Sequence, residues 1–182
     1  MEPVISVPIQ LKPINVMKPT QLSHQLRLET SADLNRRRWV VGLSMLGATI
    51  GQVVSLYQLG IIKRLPDPPI PFIDSNKVNA SAYAYKRFDT PDALLMLLTY
   101  SVTSIAAGAG GKNRAETHPA IPIAMGVKTL ADTALNLQLA REEWKDNKAL
   151  CFYCQTATVV SAVSAALAIP ETVKAVRNMF GW

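Results

Sequence analysis

Four long apolar stretches alternate with polar segments along the chain, at 40–62, 91–110, 121–140 and 149–169. A helix needs about 20 predominantly apolar residues to cross a bilayer core, so the pattern predicts four membrane-spanning helices. The expected fold class is all-α: an integral membrane bundle of four transmembrane helices with a long outer first loop. Ser31-Ala32-Asp33-Leu34-Asn35 opens a short helix leading into the first span. Within that span Gly47, Gly51 and Ser55 recur every fourth residue, as do Ser44 and Ala48. Such a small-residue stripe lets another helix approach closely. Segment 63–90 reads as a loop, extended through Leu65-Pro66-Asp67-Pro68-Pro69-Ile70-Pro71 because proline fixes φ and restricts its predecessor. Within it, 78–88 is expected to hold a short interfacial helix anchored by Tyr83, Tyr85 and Phe88, with Lys86 and Arg87 snorkelling.

The second span opens with Pro91 and Asp92 and closes on Gly108, Gly110 and Gly111. A short basic linker, 112–119, leads to the third span, which is less pure: Lys128, Asp132 and Asn136 stand four apart on one face. The residues allow a proton path or a cofactor contact, and equally an intrahelical Lys128–Asp132 pair that neutralises itself. No further acid or histidine continues a relay, which favours the pair. A charged loop, 141–148, leads to the fourth span, where Ala157, Ser161 and Ala165 form another small-residue stripe. Pro170 is expected to bend or end that span, leaving 171–182 as an amphipathic tail. The polar segment before the first span, 1–37, is an arm distinct from the membrane domain, 38–182, and has no apolar core of the kind a cleaved signal peptide carries.

Composition supports a membrane protein. Of 182 residues 49% are hydrophobic and 18% charged, and the mean hydropathy is positive. The net charge of +6 suits a lipid surface or nucleic acid. The apolar spans, and the lack of a basic tract interleaved with aromatics, favour the lipid bilayer and argue against nucleic acid. His24 and His118 have no neighbouring ligand residues, and no metal site is predicted.

The two cysteines of the chain form Cys151-Phe152-Tyr153-Cys154 at the start of the fourth span. In a first helical turn both sulfurs share a face, and the unpaired helix amides favour a thiolate. A C-x-x-C so placed suits a redox pair; two small buried hydrophobes are the plainer alternative. Four spans put both termini on one side, and Arg36-Arg37-Arg38-Trp39 before the first span makes that side the cytoplasm. The C-x-x-C then faces the periplasm or lumen of a bacterial inner or thylakoid membrane, beneath the Pro-rich loop, where disulfides persist.

Over 38–169 the sequence resembles the vitamin K epoxide reductase family. The resemblance rests on the four spans, the long first loop, the helix-borne C-x-x-C, and the segments 78–84 and 88–95 around the loop helix and second span. It implies a four-helix bundle around a quinone, with Cys154 nearest the ring and Cys151 exchanging with an outside-facing thiol protein or a small thiol. It also implies quinone contacts at Ser81, Asp92 and Thr158, where Thr158 stands in place of a tyrosine found in some members. The loop cysteine pair of the family is replaced here by Asp67 and Ser75, so the thiol relay is absent. The expected activity is that of a membrane thiol–quinone oxidoreductase. The alternative is a non-catalytic quinone- or pigment-binding accessory subunit of a larger membrane complex.

Overall fold

The computed structural model describes residues 17–181. Among them the order is α1 (Pro19–Leu28), α2 (Ala32–Gln58), α3 (Ser75–Asn79), a 3₁₀ turn (Ala82–Tyr85), α4 (Asp92–Gly108), α5 (Arg114–Thr117), α6 (Ala120–Asn147) and α7 (Phe152–Phe180). There is no strand among them, only an isolated parallel bridge between Ile73 and Leu150. The part of the N-terminal arm before residue 17 lies outside the described residues.

Ser31 caps α2 by accepting a hydrogen bond from Leu34 N. The predicted entry helix and first span are one continuous helix that ends at Gln58 rather than running to Ile62. Its stripe of small residues is buried against α4. A Cβ on Gly47 would lie 2.6 Å from the Tyr100 ring, and one on Gly51 would lie 3.0 Å from the backbone N of Leu97. α2 also packs on α7, and α7 packs on α6. Ala157, Ser161 and Ala165 of α7 are buried there. Lack of bulk at these positions is what brings the long helices together.

Two helices, α2 and α7, are long and apolar enough to cross a membrane. The apolar α4 has 17 residues. α6 has 28, of which the last turns, from Arg141 onward, are charged.

Several expectations are corrected by this architecture. The charged stretch 141–148 is the end of α6, closed by Lys148 at a φ of 51°. Pro170 does not end the fourth helix: α7 runs through it to Phe180, so most of the expected tail continues α7, with only Glu171 and Ala175 of it buried. The interfacial helix at 78–88 is two short pieces. Its basic residues do not snorkel: Lys86 pairs with Glu142 and Asp146, and Arg87 pairs with Glu142. Of its aromatic anchors, Phe88 is exposed, while the Tyr83 hydroxyl donates to Leu139 O and that of Tyr85 to Gln58 O. The arginine cluster that precedes the first span is not all at the surface. Arg37 is buried and donates to the carbonyls of Ala107, Ala109, Gly110 and Gly111 at the end of α4.

Candidate functional site

The loop 59–74 folds back over the start of α7. Leu150 N donates to Phe72 O, and Asp74 N donates to Leu150 O. The extended proline segment is tied down at two points. Asn76 exchanges two hydrogen bonds with the Leu65 backbone, and Tyr153 OH donates to Pro66 O. Asp67 and Ser75 meet: Ser75 Oγ donates to Asp67 Oδ1 at 2.5 Å and its N–H to Asp67 Oδ2 at 2.8 Å. Ser75 Oγ also accepts from Phe152 N, the first amide of α7. The two positions that cannot exchange disulfides thus form a hydrogen-bonded clasp on the cysteine pair.

Under this clasp Cys151 is the N-cap of α7 and is wholly buried. Its sulfur accepts from Cys154 N and from Asn79 Nδ2, each at 3.2 Å. These N–H donors and the helix end favour negative charge on that sulfur. Cys154 sits one turn on and lines a cavity of about 290 Å³, close to the roughly 300 Å³ lower bound of small-molecule pockets. Both thiols are free.

Val54, Ala93, Met96, Leu135, Leu139 and Ala157 give the cavity apolar walls. Polar groups converge on it from every side. Asp92 Oδ1 accepts from Gln58 Nε2 at 2.7 Å. Thr158 lines the cavity, with its hydroxyl donating to Cys154 O. Tyr100 OH bonds Ala157 O and Ser161 Oγ, and Asn136 Nδ2 donates to the same serine. Arg87 lines the cavity with its Nη1 buried and without a hydrogen-bond partner among the described residues, 3.9 Å from Asp92 Oδ2. A buried guanidinium N–H left open at a pocket is a donor available to a ligand oxygen.

Cys154, Asp92 and Thr158 are thus brought together around one cavity, with Cys151 immediately behind. Ser81 is not among the lining residues: its hydroxyl donates to Val78 O at the start of the 3₁₀ turn. The Lys128–Asp132 pair forms at 2.5 Å, and Lys128 also donates to Thr99 and Thr103 of α4. The lysine is therefore satisfied within the bundle, while Asp132 and Thr99 also line the cavity.

The sequence reading missed Glu143. This residue is 1% exposed, lines the cavity, and accepts hydrogen bonds from Cys151 N and Gln155 Nε2. It lies in the charged turns of α6, beyond the apolar part of that helix. Burial, with the neighbouring Cys151 and Asp92, pushes its carboxyl up to about 8 against the opposing pull of its two N–H donors. A signal was present: Glu143 falls seven residues after Asn136, on the face of Asp132 and Asn136, once the helix is extended past Ala140. A carboxylate oxygen of Glu143 and the sulfurs of Cys151 and Cys154 lie within 4.8 Å of one another. Three such atoms can in principle ligate a metal. Here the Glu143 oxygens and the Cys151 sulfur already accept N–H donors, an arrangement that suits a redox thiol pair.

Comparison with curated proteins and with solved structures finds no match. A family model described as the vitamin K epoxide reductase family matches residues 38–169, which include the clasp, the cavity and both cysteines. That family comprises membrane-associated oxidoreductases that use a quinone as substrate. With most of its length matched, the chain belongs to the vitamin K epoxide reductase family.

Proposed function

We propose that this protein is a membrane thiol–quinone oxidoreductase in which Cys151 and Cys154 pass two electrons to a quinone held in the cavity. The observation that carries the reading is the asymmetry of the pair. Cys154 opens onto the cavity, while Cys151 lies behind it among N–H donors. A thiolate stabilised at Cys151 can attack the Cys154 sulfur once that sulfur is bonded to the quinone, which forms the disulfide and releases the reduced ring. The apolar walls suit the ring. Arg87 Nη1 is the donor best placed to reach a ring oxygen, while the Thr158 hydroxyl, already donating to Cys154 O, borders the ring and Asp92 is oriented by Gln58.

In this reading α4 and the apolar part of α6 join α2 and α7 as spans, both termini are cytoplasmic, and the cysteines face the periplasm or thylakoid lumen. Electrons enter from a thiol on that side. Because Cys151 has no exposed surface and lies under the Asp67–Ser75 clasp, a thiol protein reaches it only when loop 59–74 lifts. A small thiol needs a smaller opening.

The test is a single turnover. Protein purified in detergent, reduced and desalted, is mixed with a water-soluble naphthoquinone, and the quinone absorbance is followed. One quinone reduced per cysteine pair is expected, with none in Cys154→Ala. Wild-type turnover in Cys154→Ala would refute the mechanism and favour a quinone-binding subunit without redox chemistry.

A further inference from the structure

Building on that mechanism, we infer that Glu143 is the proton store of the cysteine pair, holding one of the two protons that the reduced quinone requires. The inference starts from placement. Glu143 reaches over from the end of α6, and its carboxylate touches the backbone N of Cys151. It lies within 4.8 Å of both sulfurs and also borders the cavity. It therefore stands between the groups that lose electrons and the space where a quinone would gain them. Among the described residues no cation pairs with it: its hydrogen-bond partners there are an amide N–H and the Gln155 side chain.

Charge conservation in a buried site gives the carboxyl its role. With Cys151 as thiolate, a second anion so close is unfavourable, and Glu143 holds its proton. The reduced site then contains one thiolate, one thiol at Cys154 and one neutral carboxyl. When the thiol pair gives two electrons to a quinone, the Cys154 proton goes to one quinone oxygen and the Glu143 proton to the other. The products are a disulfide, a quinol and a Glu143 carboxylate. One negative charge has moved from sulfur to carboxylate, and the site has neither gained nor lost charge. Two molecules of a thiol reverse the change: they become a disulfide, and their two protons return to Cys154 and Glu143.

Every charged or titratable group facing Glu143 fits this exchange. Cys151 and Cys154 face it from α7, Asp92 from the start of α4 and Tyr83 from the loop turn, while Arg87 borders the same cavity and pairs with Glu142. On its own helix Asp132 lines the cavity about three turns earlier and is engaged by Lys128. Tyr83 stays protonated, since burial pushes its hydroxyl up. The acidic form of Glu143, held up to about 8, is the one present at neutral pH. Raising the pH through that value removes the stored proton, so the single-turnover rate should fall on the alkaline side.

The experiment compares wild type, Glu143→Gln, Glu143→Asp and Cys154→Ala from pH 6 to 10. It uses pre-reduced, desalted protein and the same naphthoquinone. Wild type is expected to slow above pH about 8. Glu143→Gln is expected to be slower by about 100-fold, the usual scale of a lost general acid, and to show no such alkaline fall. Glu143→Asp retains the alkaline fall at an intermediate rate, and it carries the test alone if the glutamine variant does not fold. A glutamine variant with the rate and pH profile of wild type overturns the role of Glu143. So does one slowed equally at every pH with the alkaline fall intact, which marks a purely structural residue. In either case an inactive Cys154→Ala leaves the quinone mechanism standing, whereas an active one removes the mechanism on which this inference rests.

Discussion

Cys151 Sγ receives N–H donors from Asn79 and from the backbone of Cys154, and each replaces part of the solvation that a thiolate loses on burial. Asn79 is itself fixed: its Nδ2 also donates to Ser75 O, and its Oδ1 accepts from Gln58 Nε2. The amide is therefore aimed at the sulfur by the same loop that carries the Asp67–Ser75 clasp. Replacing it with leucine keeps the branched shape and removes the donor, so the anionic form of Cys151 is the one that suffers. In a Cys154→Ser background, where Cys151 is the single thiol, the rise of thiolate absorbance near 240 nm should move to higher pH in Asn79→Leu. An unmoved curve assigns thiolate stabilisation to the helix end alone.

At the scale of elements, the contact between α2 and α4 depends on glycines whose neighbours differ in how far they can yield. Gly51 faces backbone: a Cβ there would lie 3.0 Å from Leu97 N and 3.2 Å from Ala93 O. Gly42, on the same helix, has nothing within 4 Å of that position. Gly51→Ala must push α4 away and is expected to destabilise by about 1–3 kcal/mol. Gly42→Ala should instead stabilise by about 0.5–1 kcal/mol through helix propensity. Thermal unfolding in detergent measures both, and equal effects would mean that the small-residue stripe is not a contact surface. This stripe was legible in the sequence because helical spacing and residue size are both local properties. So were the two helices long and apolar enough to cross a membrane, and the position of Cys154 in the first turn of α7. Glu143 was not, because reading 141–148 as a loop took it off the helix face that carries Asp132 and Asn136. Arg114 was not either: nothing local distinguishes a basic linker residue from one whose partner, Glu171, lies 57 positions away.

Across the whole molecule, the end of the bundle opposite the cysteines is held by charge. Arg114 makes two parallel hydrogen bonds to Glu171 at 2.9 and 2.8 Å, with side-chain exposures of 0% and 3%. It also donates to the carbonyls of Ala106 and Ala109, the latter shared with Arg37. Two guanidinium groups thus satisfy the end of α4, where a helix carries its negative pole, and one of them ties that end to α7. Removing one member of a buried pair strands the other, a loss of about 3–5 kcal/mol, while replacing both with apolar residues of similar size is far milder. Arg114→Met should therefore lower the unfolding temperature in detergent more than Arg114→Met combined with Glu171→Met. The double variant should still fall short of wild type, because the α4 carbonyls lose their donor in both. Residue 171 lies 17 positions beyond Cys154, about 25 Å along α7 at 1.5 Å per residue. Below the unfolding temperature, the single-turnover rate of both variants should accordingly match wild type. If the single and double variants lose equal stability, the stabilising contribution of Arg114 comes from the α4 carbonyls and not from Glu171.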